Sequence, residues 1–250
     1  MTSGYVDVNG LHLYYESHGS GTPLVLLHGG VMTIDLNFGA ILPALAQTYQ
    51  VIAVEMQGHG RTADIDRALT PANMASDIVG LLDHLGIDRA HVLGHSFGGA
   101  VALELAVSYP DRVRSIVPIS ASVRIEGMHP DIMDPSKYAT SDRMPTQEDF
   151  GAMRAAYVRL SPHPDQFDAF IAKMGGSAHD LKGWSDEQLA GITAPTLIVQ
   201  GDNDFITVEH AALMQQLIPG SKLAVLPDTT HMQVTRRADY LLPMLASFLD

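Results

Sequence analysis

The 250-residue chain contains no cysteine. That excludes a disulfide framework, a thiolate nucleophile and any metal site built on sulfur. Positive charge is also scarce: 15 Lys and Arg stand against 28 Asp and Glu, a formal net charge of −13. Such a surface repels nucleic acid and anionic membranes at neutral pH, so neither is an expected partner. No apolar run reaches the length of a membrane span. The amino end, Met-Thr-Ser-Gly-Tyr-Val-Asp-Val-Asn-Gly, lacks the basic start and apolar stretch of a signal peptide, which makes a cytoplasmic location the expectation.

Hydrophobic side chains make up 46% of the chain, enough for one large core, and the length suits a single α/β domain carrying an insertion. The organising stretch is Ala90-His-Val-Leu-Gly-His-Ser96-Phe-Gly-Gly-Ala100. Val92 and Leu93 read as the end of a buried strand, and residues 100–107 as a helix that follows at once. Ser96 then occupies a strand-to-helix turn whose backbone is forced into sparsely populated angles. Gly94 and Gly98 leave room for close chain approach. The hydroxyl is pushed out, and the free N–H groups of the new helix face the place where negative charge develops during acyl transfer. This is the Gly-x-Ser-x-Gly nucleophile elbow.

In chain order, Tyr5–Val8 and Leu11–Glu16 alternate around Asn9-Gly10, a hairpin signal. Pro23–Leu27 reads as a strand buried on both faces, ending at His28-Gly29-Gly30, where the glycines allow a backbone N–H to face the nucleophile. Phe38–Thr48 has helical spacing, and Val51–Val54 is a further buried strand. Glu55–Thr62 is a loop in which His59 reads as structural. Thr70-Pro71 starts a helix closed by Gly86. Val113–Ile119 is the next strand, so strands and helices alternate as in a parallel sheet with right-handed crossovers, and ligands belong above the carboxyl ends of its strands.

From 121 to 185 prolines interrupt short segments with no buried strand, which predicts a helical cap inserted in a core formed by 1–120 and 186–250. Helices are expected over Thr146–Leu160, with Pro145 and Glu148 marking the start, and over Asp165–Met174, with Gly175-Gly176 as the stop. Most of the Met and aromatic side chains here are expected to pack within the cap, with a minority facing a pocket. Ala194–Gln200 resumes the sheet and ends at Gly201-Asp202-Asn203-Asp204. A helix over Val208–Ile218, a strand over Lys222–Leu226, the loop Pro227–His231 and a closing helix to Phe248 follow. Two carboxylates and a histidine thereby share the sheet edge of Ser96. His91 and His95 lie four apart on a strand and elbow with no acidic partner, so packing, not zinc, is their expected role.

Taken in order, His28-Gly-Gly, Gly58-x-Gly60, Gly94-His-Ser-Phe-Gly-Gly99, Gly201-Asp-Asn-Asp204 and His231 resemble the α/β-hydrolase superfamily, serine-nucleophile branch with a small helical cap. The likeness covers all but the cap. It implies an α/β-hydrolase fold, a mostly parallel eight-stranded sheet with helices on both faces, and no cofactor or metal. It also implies Ser96 as nucleophile, His231 as general base and Asp204 as acid, with Asp202 the alternative acid. The implied oxyanion hole is the backbone N–H of Phe97 and of Gly30, with Val31 the alternative to the latter. Chemistry asks for the same set, because a serine hydroxyl needs an imidazole to take its proton and the imidazole needs an acceptor. The stretch Glu55-Met-Gln-Gly-His-Gly-Arg-Thr62 departs from the common Asp-x-Arg-Gly-x-Gly-x-Ser loop. Serine at position 96 points away from the aspartate-based dehalogenases and epoxide hydrolases.

The resulting expectation is an esterase acting on a small or medium ester through an acyl-enzyme, as a monomer or homodimer. The same triad also serves lactonases, carbon-carbon bond hydrolases and perhydrolases. Some relatives with intact triads are slow-turnover small-molecule receptors.

Overall fold

A computed structural model describes residues 1–179 and 183–249. The chain opens with β1 (Thr2–Val8) and β2 (Leu11–His18), paired antiparallel across Asn9-Gly10. Both turn residues take positive φ, 48° and 84°, the geometry that Asn-Gly tolerates and that matches the twist of a hairpin. β3 (Thr22–Leu27) follows, then α1 (Ile34–Phe38), α2 (Leu42–Leu45) and β4 (Tyr49–Glu55). The single helix expected over Phe38–Thr48 is therefore two short ones. A continuous helix would place Pro43 in its interior, where the ring lacks an N–H and clashes with the preceding turn; a break at Gly39 puts Pro43 in the first turn of α2 instead.

Thr70 caps α3 (Pro71–His84) by accepting the Asn73 N–H, and Gly86 closes it at φ 65°. β5 (Ala90–His95) leads through Ser96 into α4 (Phe97–Ser108), and β6 (Val113–Ile119) comes next. Between β6 and β7 (Leu197–Asn203) lie α5 (Pro130–Met133), α6 (Gln147–Leu160), α7 (Phe167–His179) and α8 (Asp186–Ala190), with no named strand among the described residues. Residues 180–182 of the expected cap lie outside the described residues. α6 starts in a capping box between Thr146 and Asp149, so the partner is Asp149 and not Glu148. α7 runs through Gly175-Gly176 instead of stopping there. Neither glycine takes positive φ, and a helix-interior glycine costs only about 1 kcal/mol. α9 (Val208–Leu217), β8 (Lys222–Thr230) and α10 (Ala238–Leu249) complete the chain.

The eight strands form one sheet in the order β1-β2-β4-β3-β5-β6-β7-β8. β1 and β2 are antiparallel to their neighbours, and every pairing from β4 to β8 is parallel. Helices cover both faces, so the central strands read as unbroken apolar runs: Leu24–Leu27 and Val51–Val54 are fully buried. One face packs against α3 and α4 through Ile78, Leu81 and Val101, and the other packs α1 and α10 through Ile34, Phe38, Leu241 and Leu245. Burial of each such side chain contributes about 2 kcal/mol. This scaffold holds the carboxyl ends of β3, β5, β6, β7 and β8 side by side, and the loops there carry the polar residues described next.

Candidate active site

The turn at Ser96 is built by what its neighbours lack. A Cβ on Gly94 would come within 2.0 Å of the Gly98 carbonyl oxygen, and one on Gly98 within 2.1 Å of the Leu27 carbonyl oxygen. Strand and helix therefore approach closer than any side chain permits. Ser96 itself sits at φ 53°, ψ −116°, a conformation that costs a non-glycine residue of order 1–3 kcal/mol and that the surrounding packing enforces.

The loop after β8 carries His231 to this turn. The Ser96 hydroxyl donates to His231 Nε2 at 2.9 Å, and His231 Nδ1–H donates to Asp204 Oδ1 at 2.6 Å. Asp204 is fully buried, and its carboxylate also accepts the Phe205 and Gly201 N–H groups and the hydroxyl of Ser120. Burial alone would raise its pKa. The nearby His231, its hydrogen bond and that of Ser120 outweigh burial and hold Asp204 below the ordinary carboxylate range. Two rings pack against the imidazole: the Phe205 ring stacks on it at 3.9 Å between centroids, and the His95 ring lies tilted at 4.9 Å.

Asp202, the alternative acid, points elsewhere. Its carboxylate accepts the N–H groups of Asp228 and Thr229, which shapes the loop ahead of His231, and those two bonds lower its pKa. Gly30 and Phe97 both line the cavity in front of Ser96. Val31, the alternative to Gly30, has its N–H committed to His59 Nε2 at 3.0 Å. His59 Nδ1–H donates to the Gln57 carbonyl, and burial drives this ring down to about 4, so it is a neutral acceptor. His59 is thus structural as expected, with the added consequence that it turns the Val31 N–H away from the cavity.

Three contributors went unread in the sequence, and a fourth, His95, was read for packing alone. Ser120, at φ 52°, reaches Asp204 from the end of β6. Asn37, buried on α1, accepts the Gly29 N–H through Oδ1 and donates to Thr235, tying the loop after β3 to the turn after His231. Phe205 stacks on the imidazole. His95 lies between the Asn37 Oδ1 at 3.1 Å and the His231 carbonyl at 3.0 Å, and burial lowers it to about 3. A neutral imidazole has one N–H, so it donates to one of these acceptors at a time. A polar residue interrupting an apolar stretch, as Asn37 does, is the one signal that could have marked this network.

The loop after β4, where the sequence departs from the common pattern, is held by a network of its own. Buried Glu55 accepts the Arg61 N–H at 2.6 Å and its guanidinium at 2.9 Å, and Gln57 donates to Asp64 and accepts from Arg67. α7 packs on this loop: Phe170 meets the His59 ring edge-on at 4.8 Å, and Lys173 pairs with Asp64 at 2.7 Å.

Residues 22–164 match the family described as the alpha/beta hydrolase fold. The chain belongs to the α/β-hydrolase family. Along its length this α/β-hydrolase is 28% identical to a putative carbamate hydrolase, RutD, of Azorhizobium caulinodans, with 94% of each chain covered. It is 29% identical to a 2-hydroxy-6-oxo-2,4-heptadienoate hydrolase of Pseudomonas putida, over 90% of this chain and 88% of that one. Among solved structures it resembles Est816, described as an N-acyl homoserine lactone degrading enzyme, with a TM-score of 0.73, 28% identity and 98% and 99% of the two chains covered. By name these relatives are hydrolases or degrading enzymes of different substrates.

Proposed function

We propose that this α/β-hydrolase is a serine hydrolase cleaving a small or medium carboxylic ester, with 121–185 acting as a cap over the site. The observation that carries the reading is the unbroken hydrogen-bond chain from Ser96 through His231 to buried Asp204, opening on a cavity. His231 Nε2 takes the Ser96 proton as Oγ attacks the ester carbonyl carbon, and Asp204 holds the imidazole in the tautomer with its free lone pair toward Oγ. The tetrahedral oxyanion receives the Gly30 and Phe97 N–H groups, each donor contributing about 3 to 4 kcal/mol. Collapse breaks the ester bond, and the alcohol leaves with the proton from His231. Water then gives a proton to His231 and its oxygen to the acyl carbon, and release of the acid returns the proton to Ser96.

Replacement of Ser96 by Ala is expected to abolish hydrolysis of p-nitrophenyl acetate while the far-UV spectrum is retained. Full activity in that variant would defeat the proposal. The likeness to Est816 favours a second reading with the same attack on a lactone. The products then stay joined as one hydroxy acid, and an acyl homoserine lactone assayed beside the ester separates the two.

A further inference from the structure

The cavity in front of Ser96 has a volume of about 390 Å³, within the range of small-molecule sites. Its wall is unlike the core. Leucine, valine and isoleucine dominate both faces of the sheet, whereas none of the described residues lining the cavity is leucine. Six of the chain's twelve methionines line it instead: Met32, Met128, Met144, Met153, Met174 and Met232. Five of the eleven Met and aromatic residues between 121 and 184 line it, in keeping with the minority expected from the sequence. Unbranched thioether side chains with three rotatable bonds re-pack around ligands of different length more readily than branched ones.

The polar side chains named on the wall each have an internal partner. Ser120 donates to Asp204, and Ser122 donates to the Arg124 carbonyl. Among the described residues Arg124 is the one Lys, Arg, Asp or Glu on the wall, and its guanidinium is paired with Asp186. A hydroxylated or carboxylate-bearing acyl group would find few partners there beyond the already paired Arg124, whereas a hydrocarbon chain loses nothing.

We infer that the acyl side of this site takes a neutral, flexible aliphatic chain of variable length and discriminates against one that ends in a carboxylate. The inference rests on Ser96 being the nucleophile.

The test measures kcat/KM for p-nitrophenyl acetate, butyrate, hexanoate and octanoate and for the mono-p-nitrophenyl ester of adipic acid, which matches hexanoate in length but ends in a carboxylate. The wild type is expected to gain about tenfold or more from acetate to hexanoate, in line with the burial of added methylenes, to retain most of that gain on octanoate, and to be slower on the adipate ester than on hexanoate by about tenfold or more. A flat or falling series, or equal rates on hexanoate and the adipate ester, would overturn the inference. Met144→Lys places a cation on the wall and is expected to narrow the gap between those two esters severalfold; an unchanged gap in a folded variant would also count against it. The wild-type series stands alone if that variant does not fold. Acetate hydrolysis that survives Ser96→Ala would instead bring down the proposed function, and this inference with it.

Discussion

His59 Nε2 accepts the Val31 N–H at 3.0 Å, so a buried ring in the loop after β4 sets the backbone of the loop after β3. Val31 stands at φ 63°, an unfavourable angle for a β-branched residue, and the bond to His59 is one of the contacts that holds it there. With that N–H occupied, the Gly30 N–H is left as the donor from this loop in the proposed oxyanion hole.

His59→Ala is therefore expected to lower kcat on p-nitrophenyl acetate by about ten- to a hundredfold, less than outright loss of an oxyanion donor. KM should change little, because a relaxed loop weakens the transition state more than the bound ester. Steady-state kinetics on the folded variant provide the check. An unchanged kcat would mean that Val31 holds its angle without His59.

Asp204 and Asp202 lie two residues apart and face different partners, His231 Nδ1 in one case and the Asp228 and Thr229 N–H groups in the other. Asp204→Asn should reduce kcat by about 10⁴-fold, since an amide no longer enforces the productive tautomer. Asp202→Asn should cost less than about tenfold in kcat, with its main effect a lower melting temperature from a loosened loop. The opposite ranking would exchange the two roles.

These paired aspartates also mark how far the sequence could be read. Ser96, His231 and Asp204 stand at the strand ends read from glycine spacing and buried-strand runs, which are local signals, while the choice of Asp204 over Asp202 came from the family resemblance. The eight-stranded sheet was legible for the same reason. Ser120 and Asn37 were not, because their roles arise only where β6 meets β7 and α1 meets the turn after His231, pairings separated by 84 and 198 residues. The helix read across Pro43 failed because apolar spacing was weighed without the missing proline N–H. The stop read at Gly175-Gly176 failed because neither glycine turns into positive φ, and a helix carries an interior glycine at a cost of only about 1 kcal/mol.

Acidification provides a stability test. His28, His59 and His95 are fully buried, and burial comes first in lowering each of them, His59 to about 4, His95 to about 3 and His28 well below 6.5. The unfolded chain takes up protons at these rings near pH 6.5 that the native state refuses. Their contribution to stability is thus complete above pH 6.5 and is lost progressively as pH falls toward 4. Glu55, raised by burial, acts in the opposite direction, but it is one group against three. Melting temperature measured at about pH 7.5, 6 and 5 is expected to fall along that series; a constant or rising value would mean that these rings are not held neutral.

The most direct measurement is the intact mass of the protein after reaction with a fluorophosphonate, followed by peptide mapping. The account predicts one adduct per chain, carried by Ser96, its formation slowed by orders of magnitude in His231→Ala and absent in Ser96→Ala. An adduct on another residue, or labelling of Ser96 at the same rate without His231, would contradict it.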